Sequence, residues 1–351
     1  MNRREFLLSA ASSVAIPTVL HARPDDQAIR QSNNRASSQF SLTILNPDCM
    51  VGGAGQCCVL RMPSGKVYLF DTGNGDCKGE KTKNNGKDII APWLRARGIT
   101  KIDGLVISHY HADHFGGFLW LKDNFGIGRI HNNNYMPSLE GLRAHDVLEY
   151  KVPRQALDDW GKTHPGCLIE NVKFGDDLGW SEEGVSVEVV WPPKEGPVKP
   201  IENRKGYTAG DNHFHHLLNG NSTALRITAN GKVFFIVGDI QADYVAEYMR
   251  PYLLEKGLWG GDFLVLPSHG TKPNETAATL ADMKPSPKAV VASLGNLPWM
   301  IGAGKSAVKV YTEKDIAAYS TNIHGDITVT VDNGKLSITT DVEQRYIHDP
   351  R

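Results

Sequence analysis

Ser108-His109-Tyr110-His111-Ala112-Asp113-His114-Phe115-Gly116-Gly117 places four side chains able to ligate a metal within six residues, directly after the apolar run Gly104-Leu105-Val106-Ile107. A short apolar run bounded by turn residues reads as a buried strand, and Phe118-Leu119-Trp120-Leu121 after the two glycines reads as the start of a helix. In a strand-to-helix turn, residues two apart can face one cavity. His109 and His111 can therefore grip one ion while Asp113 and His114 begin a second site. H-x-H pairs alone recur in ordinary polar turns, but the full H-x-H-x-D-H spacing in this context points to metal-dependent hydrolysis.

With that context the segment resembles the metallo-β-lactamase superfamily. The resemblance implies an α+β chain folded as a four-layer αββα sandwich, with one or two metal ions at the edge between its sheets. Other segments fit in order. The strand Lys66 to Phe70 runs into Asp71-Thr72-Gly73, similar to the family's early Asp-Thr-Gly turn, whose aspartate supports the metal-binding loop. Val233-Phe234-Phe235-Ile236-Val237 leads to Gly238-Asp239, like the strand that ends in an aspartate bridging two metals. Phe263-Leu264-Val265-Leu266-Pro267 leads to Ser268-His269-Gly270, like the last histidine of the second site. The resemblance spans about residues 40 to 340. It implies His109, His111, Asp113, His114, Asp239 and His269 as metal ligands.

One ligand is missing. Many members supply a third histidine to the first metal from a Gly-His turn before the Gly-Asp strand, where this chain reads Leu218-Asn219-Gly220-Asn221-Ser222-Thr223-Ala224-Leu225. The pattern Asn-x-Asn-Ser-x-x-Leu instead resembles the extracellular domain of the ComEC competence-protein subgroup. Gly53-Ala54-Gly55-Gln56, Val265 to Gly270 and the final hairpin at Asn322 to Val329 agree. The chain departs from that subgroup at Ser268, at Gln56, and at Gly295-Asn296-Leu297-Pro298-Trp299, where a Gly-His-Pro motif is absent. His213, His215 and His216 lie just upstream of the Asn turn. His216, Asn219, Asn221 and His324 are the further candidates for an extra ligand or a substrate contact.

The chain begins Met1-Asn2-Arg3-Arg4-Glu5-Phe6-Leu7-Leu8, followed by an Ala/Ser-rich apolar stretch to Ile16. Twin arginine before a short apolar run resembles a bacterial Tat signal, with cleavage near Leu20-His21-Ala22, and implies a periplasmic or secreted protein. The run is too short to span a bilayer, so no stable membrane span is expected once the signal is removed. The Tat route carries folded proteins, which allows metal loading before export. Zinc is the default by affinity order, and manganese is the alternative.

The expected organisation is a signal peptide at 1–22, a flexible Asp/Gln/Ser/Asn/Arg-rich leader at 23–39 and one domain at 40–345, with an insertion at about 131–220. Its 351 residues, 40% of them hydrophobic, suffice for a large core. Strands are expected at 40–45, 57–62, 66–70, 104–108, 185–191, 223–229, 233–238, 262–267, 288–294, 326–331 and 335–340. Helices are expected at 88–97, 115–123, 139–150, 242–256, 274–283 and 313–318. Of the five cysteines, Cys49, Cys57, Cys58, Cys77 and Cys167, the neighbours Cys57 and Cys58 point to opposite faces of a strand and are poorly placed to bond. No C-x-x-C pair suggests structural zinc.

The chemistry expected of this ligand set is hydrolysis by a metal-bound hydroxide. Two cations about 3.5–4 Å apart, sharing Asp239, lower the pKa of a bound water to about 7. Asp113 can orient that hydroxide through its free oxygen, so it is the candidate catalytic residue. Neither a G-x-S-x-G elbow nor a P-loop is present. Formal charge is −1, and removing Arg3, Arg4 and Glu5, together +1, leaves −2, so net charge gives no strong nucleic-acid binding. Lys78, Lys81, Lys83 and Lys87 cluster after the Asp-Thr-Gly turn, as a solvated loop or a phosphate-facing patch. The resemblance favours a phosphodiester substrate. A small-molecule lactone, β-lactam or other ester or amide is the alternative, as is a non-catalytic binding protein on the same scaffold.

Overall fold

Alternation inside the apolar runs decides the layering. In a computed structural model that describes residues 39–47, 55–75, 84–138, 144–201, 211–332 and 334–341, the strands are β1 (Ser41–Ile44), β2 (Cys58–Arg61), β3 (Val67–Phe70), β4 (Lys101–Ile102), β5 (Gly104–Ile107), β6 (Gly126–Ile127), β7 (Ile130–Asn132), β8 (Leu168–Ile169), β9 (Val185–Trp191), β10 (Ala224–Ala229), β11 (Lys232–Ile236), β12 (Phe263–Val265), β13 (Ala289–Ala292), β14 (Ala317–Ser320), β15 (Ile327–Asp332) and β16 (Lys335–Thr340). One sheet has the order β16-β15-β1-β2-β3-β5-β7-β8, the other β14-β13-β12-β11-β10-β9, and β4 pairs with β6. Antiparallel pairing of β1, β2, β3 and of β9, β10, β11 gives way to parallel pairing of β3 with β5 and of β11 with β12.

Side chains with period two sort onto two faces. Cys58, Leu60, Tyr68, Phe70 and Val106 from the first sheet meet Leu225, Ile227, Phe234, Ile236 and Phe263 from the second in one core. The intervening Val59, Val67, Leu69, Leu105 and Ile107 pack under helices that contribute Ile90, Leu94, Phe118 and Leu157. Val233, Phe235, Leu264 and Val290 do the same on the far side, against Val245, Met249, Leu280 and Ala307. The result is helix, sheet, sheet, helix, the sandwich expected. At its centre Phe234 lies 5.3 Å from Phe40 and 5.7 Å from Phe263, ring to ring. Each such buried ring contributes about 2–3 kcal/mol of transfer free energy.

Both faces of β3, β5 and β12 are buried, which is why their sequences are unbroken apolar runs. Cys57 joins the helix-side core and Cys58 the inter-sheet core, on opposite faces of the strand and not bonded to each other, and both are free thiols.

Within 131–220, the expected insertion, β7 and β8 extend the first sheet and β9 lies at the edge of the second. This stretch also holds helices Ala144–Thr163 and Asp211–Gly220. One expectation needs correction. The helix expected at 313–318 lies earlier, at Pro298–Thr312, where Pro298 opens it with its preset φ; residues 317–320 are the parallel edge strand β14. The Tat segment 1–22, the leader up to residue 38, Cys49, Cys77 and Lys78, Lys81 and Lys83 lie outside the described residues. No helix among the described residues is long and apolar enough to cross a membrane.

The candidate site grows from strand ends. β3 and β5 run directly, and β11 and β12 one residue further on, into Asp71, Ser108-His109, Gly238-Asp239 and Pro267-Ser268-His269 at one edge of the sandwich. The two sheets are joined there by the Thr223 N–H donating to Ser108 O at 2.8 Å.

Candidate metal centre

Two groups of donor atoms form at this edge. His109, His111 and Asp239 make one; Asp113, His114 and His269 make the other. Within each group the donor atoms lie within 4.8 Å of one another. The groups touch, since the rings of His109 and His114 are 4.2 Å apart.

Each histidine is held from its outer side. His114 Nδ1–H donates to Asp71 Oδ2 at 2.7 Å, which leaves the Nε2 lone pair facing the cluster. His269 Nδ1 lies 3.0 Å from Ser293 O, which only accepts, so this ring also carries its proton outside. Ser108 donates its hydroxyl to Asp71 Oδ2 at 2.7 Å, so its oxygen accepts from His109 Nδ1–H at 2.9 Å. Asp71 also accepts the Ser108 backbone N–H at 2.7 Å. This fully buried carboxylate therefore takes three hydrogen bonds and orients two candidate ligands.

Backbone geometry serves the same end. Asp71, Ser268 and His269 have φ of 61°, 47° and 57°, a left-handed region that costs a non-glycine residue about 1–3 kcal/mol. Bonds from Asp71 N to Val106 O and from Ser268 N to Gly238 O hold two of them. Gly238 combines φ of 51° with close approach, since a Cβ there would lie 3.0 Å from Ser222 Cβ and 3.2 Å from Ser108 Cβ. Gly117 lets the helix that follows the motif sit on the Asp-Thr-Gly turn; a Cβ would lie 2.1 Å from Thr72 O.

The spacing of inner atoms fits cations. Asp239 Oδ1 lies 3.2 Å from His114 Nε2 and 3.3 Å from His269 Nε2, and these two nitrogens are 3.2 Å apart. Asp113 Oδ2 is 3.3 Å from His269 Nε2. Ligands at about 2.0–2.1 Å from a tetrahedral metal sit roughly 3.3 Å from each other. Although close to both rings, Asp239 Oδ1 is buried without a hydrogen bond of acceptable direction. In the first group His109 Nε2 lies 2.8 Å from His111 Nδ1.

The electrostatics agree. Burial opposes charge on His114, yet Asp239, Asp71 and Asp113 outweigh it and hold that imidazole well above its ordinary pKa. For His269 the same contest, with Asp239 the chief attraction, ends at about 9. Burial would raise Asp239, but His269 and His114 hold it well below the usual range. Burial lowers His109 well below its usual value, with neighbouring imidazoles adding to it, and takes His111 to about 4. The negative potential that holds protons on His114 and His269 would equally attract a divalent cation.

The structure thus brings together His109, His111, Asp113, His114, Asp239, His269 and Asp71, and does not bring the other candidates to the centre. Asn221 is fully buried and braces the chain, accepting Val198 N–H at 2.7 Å and donating to Leu217 O at 2.9 Å. Its turn cannot offer a ligand because its side chain is spent on the backbone. Asn219, also buried, ends the helix with its Oδ1 unpartnered and outside both groups. His324 is held at Nδ1 by Ser320 N–H at 3.0 Å beside the Tyr319 ring and joins neither group. His216 pairs with Gln241. Its neighbour His215 reaches the cluster instead, with Nδ1 2.9 Å from His111 Nε2. The side chain of His213 lies outside the described set.

In the turn that lacks a histidine, Ser222 Oγ lies 3.2 Å from the outer nitrogen of His109, Nδ1, and 3.3 Å from Asp239 N. Asn133, which the sequence reading did not single out, donates from Nδ2 to Ser108 O at 3.2 Å and to Asn221 O, tying the motif loop to the turn that lacks the histidine.

A family model described as the metallo-beta-lactamase superfamily matches residues 50–293. Competence protein ComA of Neisseria gonorrhoeae is 26% identical over 250 residues, 70% of this chain and 26% of that protein. ComE operon protein 3 of Bacillus subtilis (strain 168) is 22% identical over 211 residues, 60% of this chain and 22% of that protein. The chain spans about a quarter of the length of these two curated relatives. Among solved structures, Zn(2+)-bound PqqB from Methylobacterium extorquens is 10% identical, with a TM-score of 0.45 over 83% of this chain and 99% of that one.

Proposed function

This chain belongs to the metallo-beta-lactamase superfamily and is a metallohydrolase of that fold; from that premise we propose that it is an exported enzyme that hydrolyses phosphodiesters with two divalent cations, zinc by default or manganese. The observation that carries the proposal is the pair of donor groups meeting at Asp239. His109, His111 and Asp239 would hold one ion, and Asp113, His114, His269 and the same Asp239 the other. Ions bound there would supply hydroxide at neutral pH and polarise the oxygen of the scissile group.

The chain's own groups then divide the work. Asp71, Ser108 and Ser293 keep the imidazole protons on the outer nitrogens of His109, His114 and His269. Asp113 is the more open of the two inner carboxylates, with 29% of its side chain exposed against 10% for Asp239. It is therefore the group placed to accept a proton from the nucleophile and to steer it. The first donor group has two histidines where three are common, which leaves more room for substrate oxygens. A phosphodiester, with two non-bridging oxygens, can use that room better than a single carbonyl. Export is supported by Arg3-Arg4 and the short apolar run after them.

The test is a parallel assay of bis-p-nitrophenyl phosphate, single-stranded DNA, a β-lactam and a lactone, with zinc or manganese added, on protein recovered from the periplasm. Turnover of the phosphodiesters is expected. Hydrolysis of the β-lactam or lactone alone would overturn the substrate proposal, and recovery of all the protein in the cytoplasm would overturn export.

A further inference from the structure

We propose that His215 is a positioning residue for His111, accepting the proton of its Nε2 and so keeping its Nδ1 lone pair turned toward the first donor group. The inference rests on the two-cation reading above and concerns a residue that is not itself in either donor group.

A neutral imidazole carries one proton, and for His111 both places for it face another ring. Nδ1 is 2.8 Å from His109 Nε2, and Nε2 is 2.9 Å from His215 Nδ1. His109 has its own proton on Nδ1, committed to Ser108, so its Nε2 is a lone pair. A proton on His111 Nδ1 would close a direct His111-to-His109 hydrogen bond. That bond would occupy the inner nitrogens of both rings and leave neither free for a cation. An acceptor outside the ring removes this dead end, because it draws the proton to Nε2. His114, His269 and His109 have such acceptors in Asp71, Ser293 and Ser108. His215 gives His111 the equivalent support.

The supporting ring is itself fixed. His215 lies nearly parallel to His111, with centroids 5.1 Å apart and planes at 29°. Tyr150, a buried residue of helix Ala144–Thr163, brings its hydroxyl to 2.9 Å from the same His215 Nδ1, whose one lone pair takes this O–H and the His111 Nε2–H together in a three-centre bond, and brings its ring to 4.6 Å from Phe214. Two helices are thus locked together where they meet the motif. The element that precedes the Asn turn, instead of supplying a third ligand, buttresses one of the two histidines present.

The experiment titrates metal-free protein with Zn2+ by calorimetry, for the wild type, His215→Phe and His215→Asn. The Phe variant keeps a ring but has no acceptor; the Asn variant loses the ring but puts an amide oxygen near the position of Nδ1. The expected result is that His215→Phe weakens one of two zinc ions by roughly 10–100-fold while His215→Asn stays within a few fold of wild type. The visible spectrum of the Co2+-loaded Phe variant is expected to change at one ion only. The reverse order, with Asn weaker than Phe, or equal behaviour of the two variants, would overturn the inference and assign His215 to packing. Wild-type protein that takes up no zinc would instead defeat the two-cation reading itself. Melting of the metal-free forms detects a folding defect, and His215→Leu replaces the Phe variant if one is found.

Discussion

Asp239→Ala is expected to lose the first cation and to hold the second more weakly, and to lower phosphodiester hydrolysis by at least about 10³-fold. The size of the effect follows from position. Asp239 Oδ1 is at 3.2–3.3 Å from the Nε2 atoms of both His114 and His269, and the same residue completes the group of His109 and His111. Without it the first group keeps only two imidazoles, and the second keeps Asp113 with two histidines. Neutral nitrogens alone bind a divalent ion weakly, and the charge shared between the ions is gone. A 10³-fold loss corresponds to about 4 kcal/mol of transition-state stabilisation. Asp113→Ala is the informative companion, since it should remove the second ion and spare the first. Elemental analysis and kcat/KM on the same preparations decide the matter. Two equivalents of metal retained by Asp239→Ala would remove the residue from the shared role given to it.

Asp71→Asn is expected to lower unfolding stability by about 3 kcal/mol and to weaken metal binding by roughly 10–100-fold, although shape and volume are unchanged. Three donors converge on this carboxylate: Ser108 N–H on Oδ1, and the Ser108 hydroxyl and His114 Nδ1–H on Oδ2. An ionised carboxylate only accepts, whereas an amide must turn an NH2 toward one of these places. If the amide nitrogen takes the Oδ1 place it meets Ser108 N–H. If it takes the Oδ2 place it meets His114 and frees the Ser108 hydroxyl, on which the tautomer of His109 depends. Burial holds the Asp71 pKa above its ordinary value, an effect partly offset by His114 and Ser108. The carboxylate is therefore costly to keep and is retained for orientation. Denaturant melts in chelator separate the stability change from the metal effect. A variant with wild-type stability and metal affinity would show that Asp71 does not orient the site.

Much of this was legible because the chain repeats one device, an apolar run followed by a turn with a ligand-capable side chain. Burial on both faces makes β3, β5, β11 and β12 continuous apolar words, and their parallel ends deliver Asp71, His109, Asp239 and His269 to one edge. The elements missed lack that contrast. β7 and β8 have three and two residues, too few to show a period. Helix Ala144–Thr163 carries Pro153 within it and presents little contrast between its faces. Helix Pro298–Thr312 contains Gly302 and Gly304, poor helix formers kept where Gly304 passes close to Ser320 and Asn322.

The choice between His215 and His216 was beyond sequence for a geometric reason. Successive helical residues differ by about 100° in direction, so one faces His111 and the next Gln241. Which of the two faces inward depends on how helix Asp211–Gly220 is rotated. That rotation is set by distant contacts such as the Trp191 Nε1–H bond to Gly220 O at 2.9 Å and the close approach of Gly220 to Tyr244. The Asn turn shows the complementary case. Residues that look like ligands by type are consumed by backbone bonds at Asn221, while Ser222 stands beside His109.

Metal content of the wild-type protein tests the central claim most directly. Protein purified without chelator from a metal-replete culture is expected to carry two equivalents of zinc or manganese per chain by elemental analysis, and to lose hydrolysis when they are stripped and regain it when they are restored. Protein that emerges metal-free, and that takes up none when dialysed against either ion, would contradict the account.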